Sequence, residues 1–194
     1  MIEQERIHIA ALEAICGTVA SFQNSPYSFL FESDLQADLF MKLRKRIHGS
    51  LSVPRLSESG GTYDLSLVYS EYGKRIDIVC LDASQIPHKH NLTRFKGFDT
   101  YIYDLPVLLG IELKYLKMGD RFDFQACVKD HDKLKELKVK FPFVLGFIQD
   151  EKKLLPFLEV AKTDWCWEKI SEVNGLNQVF VIGPKTIYAA QKKT

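Results

Sequence analysis

The sequence predicts an α/β fold in which a mixed β-sheet is flanked by helices. Three strand-like runs follow one another at 63–69, 75–81 and 107–115, and a helical pattern at 122–140 separates them from a fourth run at 141–148. Consecutive strands favour a meander, and a helical crossover returns the next strand parallel to one already placed. At 194 residues, 46% of them hydrophobic, the chain suits one well-buried domain over 1–194, with a core at about 26–149, a helix at 1–24 and additions at 150–194.

The elements follow in order. Residues 2–22 place Ile7, Ala10, Ala11, Ala14 and Val19 at helical spacing without a proline, which predicts an amphipathic first helix. Ser25 as N-cap with Pro26 at the first helical position predicts a second helix, in which Leu35, Leu39 and Leu43 recur up to about Ile47, before Gly49. The Ser-, Gly- and Pro-rich residues 50–61 read as a loop. Tyr63, Leu65, Leu67 and Tyr69 alternate with more polar or smaller neighbours as a first strand, and Tyr72-Gly73 is the expected turn into the second. Pro87, His88, Lys89, His90, Arg94, Lys96 and Gly97 mark a basic excursion before the third strand. Phe124, Cys127, Val128, His131 and Leu134 then share a helical face. Beyond 150 the pattern predicts a short helix near 164–171, a strand at 178–182 and a charged tail that frays.

Composition narrows the function classes. Lys and Arg number 26 against 25 Asp and Glu, a formal charge of +1, so nucleic-acid binding through net charge is excluded and a polyanion site has to be a local patch. The longest apolar stretches fall far short of the roughly 20 residues of a membrane span. No charged-then-apolar leader opens the sequence, so no membrane partner and a cytoplasmic location are expected. Cys16, Cys80, Cys127 and Cys166 show no CxxC spacing, which supports neither zinc nor disulfides. His88-Lys89-His90 has no third ligand nearby and reads as a surface loop.

The chemistry-bearing signal is charge inside strands. Arg75-Ile76-Asp77-Ile78-Val79 and Gly110-Ile111-Glu112-Leu113-Lys114-Tyr115 are apolar runs interrupted by ions. Side chains alternate along a strand, so Asp77 projects opposite to Ile76 and Ile78, and Glu112 and Lys114 share the face opposite Ile111, Leu113 and Tyr115. An unpaired buried ion costs several kcal/mol, so packing alone gives little reason for three ions here, and a metal would supply one. Glu32 lies three residues before Leu35 and seven before Leu39, on the inward face of the second helix, with Asp34 as a competitor.

This arrangement of Glu32, Asp77 and Glu112-Leu113-Lys114, with a helix directly after, resembles the PD-(D/E)XK nuclease superfamily over roughly residues 26–149. The resemblance implies a restriction-endonuclease-like αβββαβ core with an extra N-terminal helix. It implies an Mg²⁺-dependent nuclease (Mn²⁺ as a substitute) that hydrolyses DNA phosphodiesters, most simply as an endonuclease. Asp77 and Glu112 would bind the metal, Lys114 would position or activate the attacking water, and Glu32 would support the metal site. Gln125 and Lys129 on the following helix would be auxiliary groups, although a solvated helix surface accounts for them equally. The sequence departs from the motif at Ile76, where the family name has proline, and in the long interval between Asp77 and Glu112.

Lys89, Arg94, Lys96, Lys117 and Arg121 are the candidate phosphate contacts, with ordinary solubilising charge as the competing reading of each. Trp165 and Trp167 suit core packing or a dimer contact better than base stacking. Double-strand cutters of this fold are often dimers, which makes a homodimer one candidate assembly. The same residues fit a catalytically inactive nuclease-like fold serving as a nucleic-acid-binding or protein-interaction subunit. They also fit a structural ion pair in an unrelated α/β domain.

Overall fold

The computed structural model describes residues 3–48, 50–54, 62–72, 76–82, 106–117, 124–159, 165–175 and 178–192. Their order is α1 (Glu3–Asn24), α2 (Glu32–Arg46), β1 (Ser50–Pro54), β2 (Thr62–Ser66), β3 (Val68–Tyr72), β4 (Ile76–Leu81), β5 (Val107–Leu116), α3 (Phe124–Glu136), β6 (Phe141–Ile148), α4 (Glu151–Glu159), β7 (Trp165–Ile170), β8 (Val179–Ile182) and β9 (Ile187–Lys192). A seven-stranded mixed sheet runs β3-β4-β5-β6-β8-β9-β7, and β1 and β2 form a separate antiparallel pair. The expected meander is β3-β4-β5, antiparallel throughout, and α3 returns the chain so that β6 lies parallel to β5. No helix among the described residues is long and apolar enough to cross a membrane.

Strand alternation sorts the side chains to two faces. Ile78, Ile111, Leu113, Tyr115, Leu145 and Phe147 join Ile7, Ala11, Ile15 and Phe22 of α1 and Leu35, Leu39 and Leu43 of α2 in one apolar cluster. Val79, Leu81, Val144, Ile148 and Val181 join Phe124, Cys127 and Leu134 of α3 and Leu154, Phe157 and Leu158 of α4 in the other. β6 is therefore apolar on both faces, which explains its unbroken hydrophobic run. Its neighbour β5 has the same surroundings, yet carries Glu112 and Lys114 on the α3 face.

Several expectations are corrected. Pro26 opens only a 3₁₀ turn, Pro26–Ser28, and Ser25 makes no side-chain cap. α2 begins instead at Glu32, because the Asp34 carboxylate accepts the Leu30 and Phe31 amides at 2.7 and 2.9 Å and so caps that helix. Residues 50–54, expected in a loop, pair with β2. The strand expected at 63–69 is two strands divided at Leu67, each in a different sheet. The helix expected near 164–171 is strand β7, because Trp165, Cys166 and Trp167 lie along β9 and pair with Lys192, Gln191 and Ala190. The tail expected to fray is β9 itself, paired on both sides by β7 and β8. Helix α4 has no counterpart among the expected elements; its Leu154, Phe157 and Leu158 bury a face interrupted in sequence by Pro156. The turn residue Gly73 and the basic excursion at 83–105 lie outside the described residues.

The crossover helix sits tightly on the sheet. A Cβ added to Gly110 of β5 would stand 2.9 Å from Leu134 Cδ2 and 3.1 Å from Val139 Cγ1. Gly110→Ala should therefore lower stability by about 1–3 kcal/mol through overpacking, read as a lower denaturant midpoint with an unchanged slope.

Candidate functional site

The site forms where one β-ladder stops and its neighbour continues. β4 pairs with β5 from Leu81↔Val107 only as far as Ile78↔Ile111, whereas β6 follows β5 to Leu116↔Ile148. Beyond Ile111, side chains take amides that a continuing strand would have bound. Asp77 Oδ2 accepts the Leu113 amide at 2.7 Å, and Glu32 Oε2 accepts the Tyr115 amide at 3.0 Å. Glu32 reaches β5 from the first turn of α2, and Asp34 serves as that helix's cap, which decides between the two. The Tyr115 hydroxyl donates to the Phe29 carbonyl at 2.6 Å and ties the approach to α2 to the same strand. Gln36, one turn further along α2, donates to the Asp77 carbonyl and to Glu71 Oε1, each at 2.9 Å.

On the α3 face, Glu112 and Lys114 each meet a residue of that helix. Lys133 Nζ lies 2.6 Å from Glu112 Oε1, and Lys114 Nζ lies 2.7 Å from Asp130 Oδ2. Both are close ion pairs, although the acceptor oxygens fall outside the angles of a well-directed hydrogen bond. Lys133 Nζ is also 3.4 Å from Asp130 Oδ1, so the Asp130 carboxylate stands between the two ammonium groups. Lys114 donates in addition to the Leu113 carbonyl at 2.9 Å. Lys114 thus takes Asp130 as its ion-pair partner, which differs from the structural alternative in which it would clasp Asp77 and Glu112.

Of the sequence-derived residues, Glu32, Asp77, Glu112 and Lys114 come together. Gln125 and Lys129 lie on the exposed face of α3 and do not join them. The residues of α3 that do are Asp130 and Lys133, neither of which the sequence pattern singles out. One signal was available, since Asp130 borders the buried stripe of Phe124, Cys127, His131 and Leu134. Lys117 follows the end of β5 with its ammonium 4.4 Å from the centre of the Phe31 ring. Lys89, Arg94, Lys96 and Arg121 lie outside the described residues. Trp165 is core, edge-on to Phe124 at 5.5 Å.

The group carries more negative charge than it balances. Glu32, Asp77, Glu112 and Asp130 are four carboxyl groups against the two ammonium groups of Lys114 and Lys133, and Glu32, Asp77, Glu112 and Lys114 each feel several of the others. Burial pushes Glu112 up to about 8; Lys133 opposes the rise, and the charges of Asp77 and Asp130 add to it. Burial also raises Glu32 and Asp77. For Lys114, burial pulls the ammonium down, but Asp130, Glu32 and Asp77 outweigh it and hold the pKa above its usual value. Lys114 is therefore a charged hydrogen-bond donor.

Among the described residues, no three His, Cys, Asp or Glu side chains converge closely enough to grip a metal ion. The chemistry of the donor set nonetheless suits one. Asp77 and Glu112 offer hard carboxylate oxygens of the type that Mg²⁺ takes, in a group with an excess of negative charge. No family model, curated protein or solved structure matches the chain.

Two outcomes follow from this geometry. Glu32→Ala leaves the buried Tyr115 amide without its acceptor and should cost about 1–3 kcal/mol, whereas Glu32→Gln keeps an acceptor oxygen and should restore most of it in chemical denaturation. Glu112 holds its proton in the folded state up to about 8 but only to about 4.5 in the unfolded chain, so its share of stability falls as pH rises through that window. Glu112→Gln should flatten that fall, read from denaturation midpoints between about pH 5 and about pH 8.5.

Proposed function

We propose that the protein is an Mg²⁺-dependent nuclease with a restriction-endonuclease-like fold of the PD-(D/E)XK type, acting on DNA as an endonuclease. The observation that carries this reading is the meeting of Asp77 on β4 with Glu112 and Lys114 on β5 where the β4–β5 ladder ends, in a cluster with excess acid. With the separate β1–β2 pair between α2 and β3 set aside, the remaining order α2-β3-β4-β5-α3-β6 agrees with an αβββαβ core, in which the three residues fall on the second and third strands.

Asp77 and Glu112 would hold the metal ion, with Glu32 in support. When bound, the ion would neutralise charge growing on the phosphoryl oxygens and acidify a water molecule. Lys114, kept charged by Asp130, would orient the attacking water or steady the phosphate by donating hydrogen bonds rather than by taking a proton. Glu32 fixes the course of β5 beside Lys114 by holding the Tyr115 amide, and Gln36 holds the main chain of β4 at Asp77. Lys117 would contact a flanking phosphate, as would Lys89, Arg94, Lys96 and Arg121. A cytoplasmic location, and a homodimer if both strands are cut, go with this reading.

One observation favours a second reading. Asp77 and Glu32 are both engaged by main-chain amides, as in a cluster that braces the sheet of a non-cleaving, nuclease-like binding subunit. Cleavage of supercoiled and linear DNA with Mg²⁺ or Mn²⁺ separates the two. Asp77→Ala, Glu112→Ala and Lys114→Ala should each lose at least about 100-fold in rate while keeping the wild-type circular dichroism spectrum. Unchanged cleavage in Asp77→Ala and Lys114→Ala would reject the assigned site, and absence of cleavage together with absence of Mn²⁺ binding by calorimetry would favour the binding subunit.

A further inference from the structure

The short segment between α1 and α2 is pinned to the sheet yet turns most of its large side chains to solvent. Phe29 packs inward beside Phe22, with ring centres 6.1 Å apart, whereas Tyr27, Leu30 and Phe31 are 67%, 61% and 57% exposed. A single exposed apolar residue needs no explanation, but a group of them marks a surface for something else. The main chain that carries them is held firmly. The Tyr115 hydroxyl donates to the Phe29 carbonyl at 2.6 Å, Gln149 Nε2 donates to the Pro26 carbonyl at 3.4 Å, and the Asp34 carboxylate accepts the Leu30 and Phe31 amides. Rings presented from an ordered main chain cost less to immobilise when a ligand binds.

That segment crosses the end of the sheet next to the proposed site. β5 and β6 run parallel to Leu116 and Ile148, and Tyr115 and Gln149 at those carboxyl ends are the residues that bind it. Ground outside the carboxyl ends of parallel strands is where open α/β sheets take ligands. Lys117 follows Lys114 by three residues, roughly 10 Å at the rise of a strand. Its ammonium lies 4.4 Å from the centre of the Phe31 ring. Lys153 donates to the Lys117 carbonyl at 3.2 Å and brings a second ammonium to the same corner. The acids of the adjoining turn are engaged by amides, Asp34 by those of Leu30 and Phe31 and Glu32 by that of Tyr115.

We infer that Tyr27 and Phe31, with Lys117 beside them, form a stacking platform for the unpaired bases of single-stranded DNA. The inference deepens the proposed function by naming its substrate class, and it rests on the reading of the chain as a DNA-handling protein, cleaving or not. A nucleotide supplies both things this surface lacks, a flat ring to cover the aromatic faces and an anion for the lysines. A purely apolar partner would cover the rings and leave the ammonium groups without a counter-charge. Bases inside a duplex have their faces covered by their neighbours, so the platform takes only bases that are unpaired or turned out of the stack.

Fluorescence anisotropy on the full chain in EDTA tests it, with a labelled oligothymidylate and a labelled blunt duplex of equal length. The single strand should bind more tightly than the duplex. Phe31→Ala and Tyr27→Ala should each weaken single-strand binding about fivefold to a hundredfold. Phe31→Trp should retain it, and Phe31→Leu, which keeps apolar area without a π-face, should not. Lys117→Ala should lower the salt dependence of log affinity by about 0.7. Met41→Ala, which removes another exposed apolar side chain further along α2, should bind as wild type, and circular dichroism verifies folding throughout. The inference is overturned if the single strand binds no better than the duplex, if both alanine variants bind as wild type, or if Phe31→Leu does, which would make the patch an apolar surface for a protein or a membrane. Should any of these hold while wild type still cleaves DNA with Mg²⁺, the nuclease reading stands without the platform. Phe31-dependent binding of the single strand without cleavage would keep the platform and leave the binding-subunit reading in place of the nuclease.

Discussion

The structure around the site depends on one discontinuity in hydrogen bonding. β5 is paired with β6 on one edge from Leu109 to Leu116, but its β4 partner leaves after Ile111, and a buried amide without an acceptor costs about 1–3 kcal/mol. Asp77 and Glu32 supply acceptors from two different elements, so the gap in the ladder is closed by carboxylates rather than by main chain. This substitution brings acids up against β5, whose side chains are mostly buried hydrocarbon. It also ties α2, β4 and β5 to one point.

Once there, the acids set the requirements on the helix above them. Glu112 and Lys114 share a face of β5, and each meets a group of the opposite kind on α3. Lys133 and Asp130 are those groups, in crossed fashion, base to acid and acid to base. Apolar layers on both sides of the sheet limit the screening of these charges by water, and burial, with the charges of Asp77 and Asp130 adding to it, is felt as a raised Glu112. The bracing role of the cluster and its proposed chemical role therefore share a cause. A site that lacks positive charge in the folded protein is both a cost to folding and a place for a cation.

The same reasoning explains where sequence patterns misled. Ser25-Pro26 is a good helix-start signal, but Asp34 offers two hydrogen bonds to the chain just before Glu32, and that cap begins α2 later. Trp165-Cys166-Trp167 shows no clear period, and only pairing with β9 makes it a strand. Gln125 and Lys129 are polar residues on the helix that follows the motif, yet they lie on its exposed face, and the residues of α3 that meet Glu112 and Lys114 are Lys133 and Asp130.

Periodicity and chain order in the sequence were sufficient for the α/β class, the β3-β4-β5 meander, the parallel return to β6, and the sharing of one face by Glu112 and Lys114. These follow from local rules: a period of two for strands, 3.6 for helices, and the handed crossover between parallel strands. Glu32 was also legible, because the leucine stripe of α2 gives its phase. Tertiary structure alone decided that β4 parts from β5 at Ile111, that Asp77 and Glu32 bind main-chain amides, and which turn of α3 meets Glu112. Each depends on how far one element slides along another, a distance set by packing between residues remote in sequence, and no local period records it.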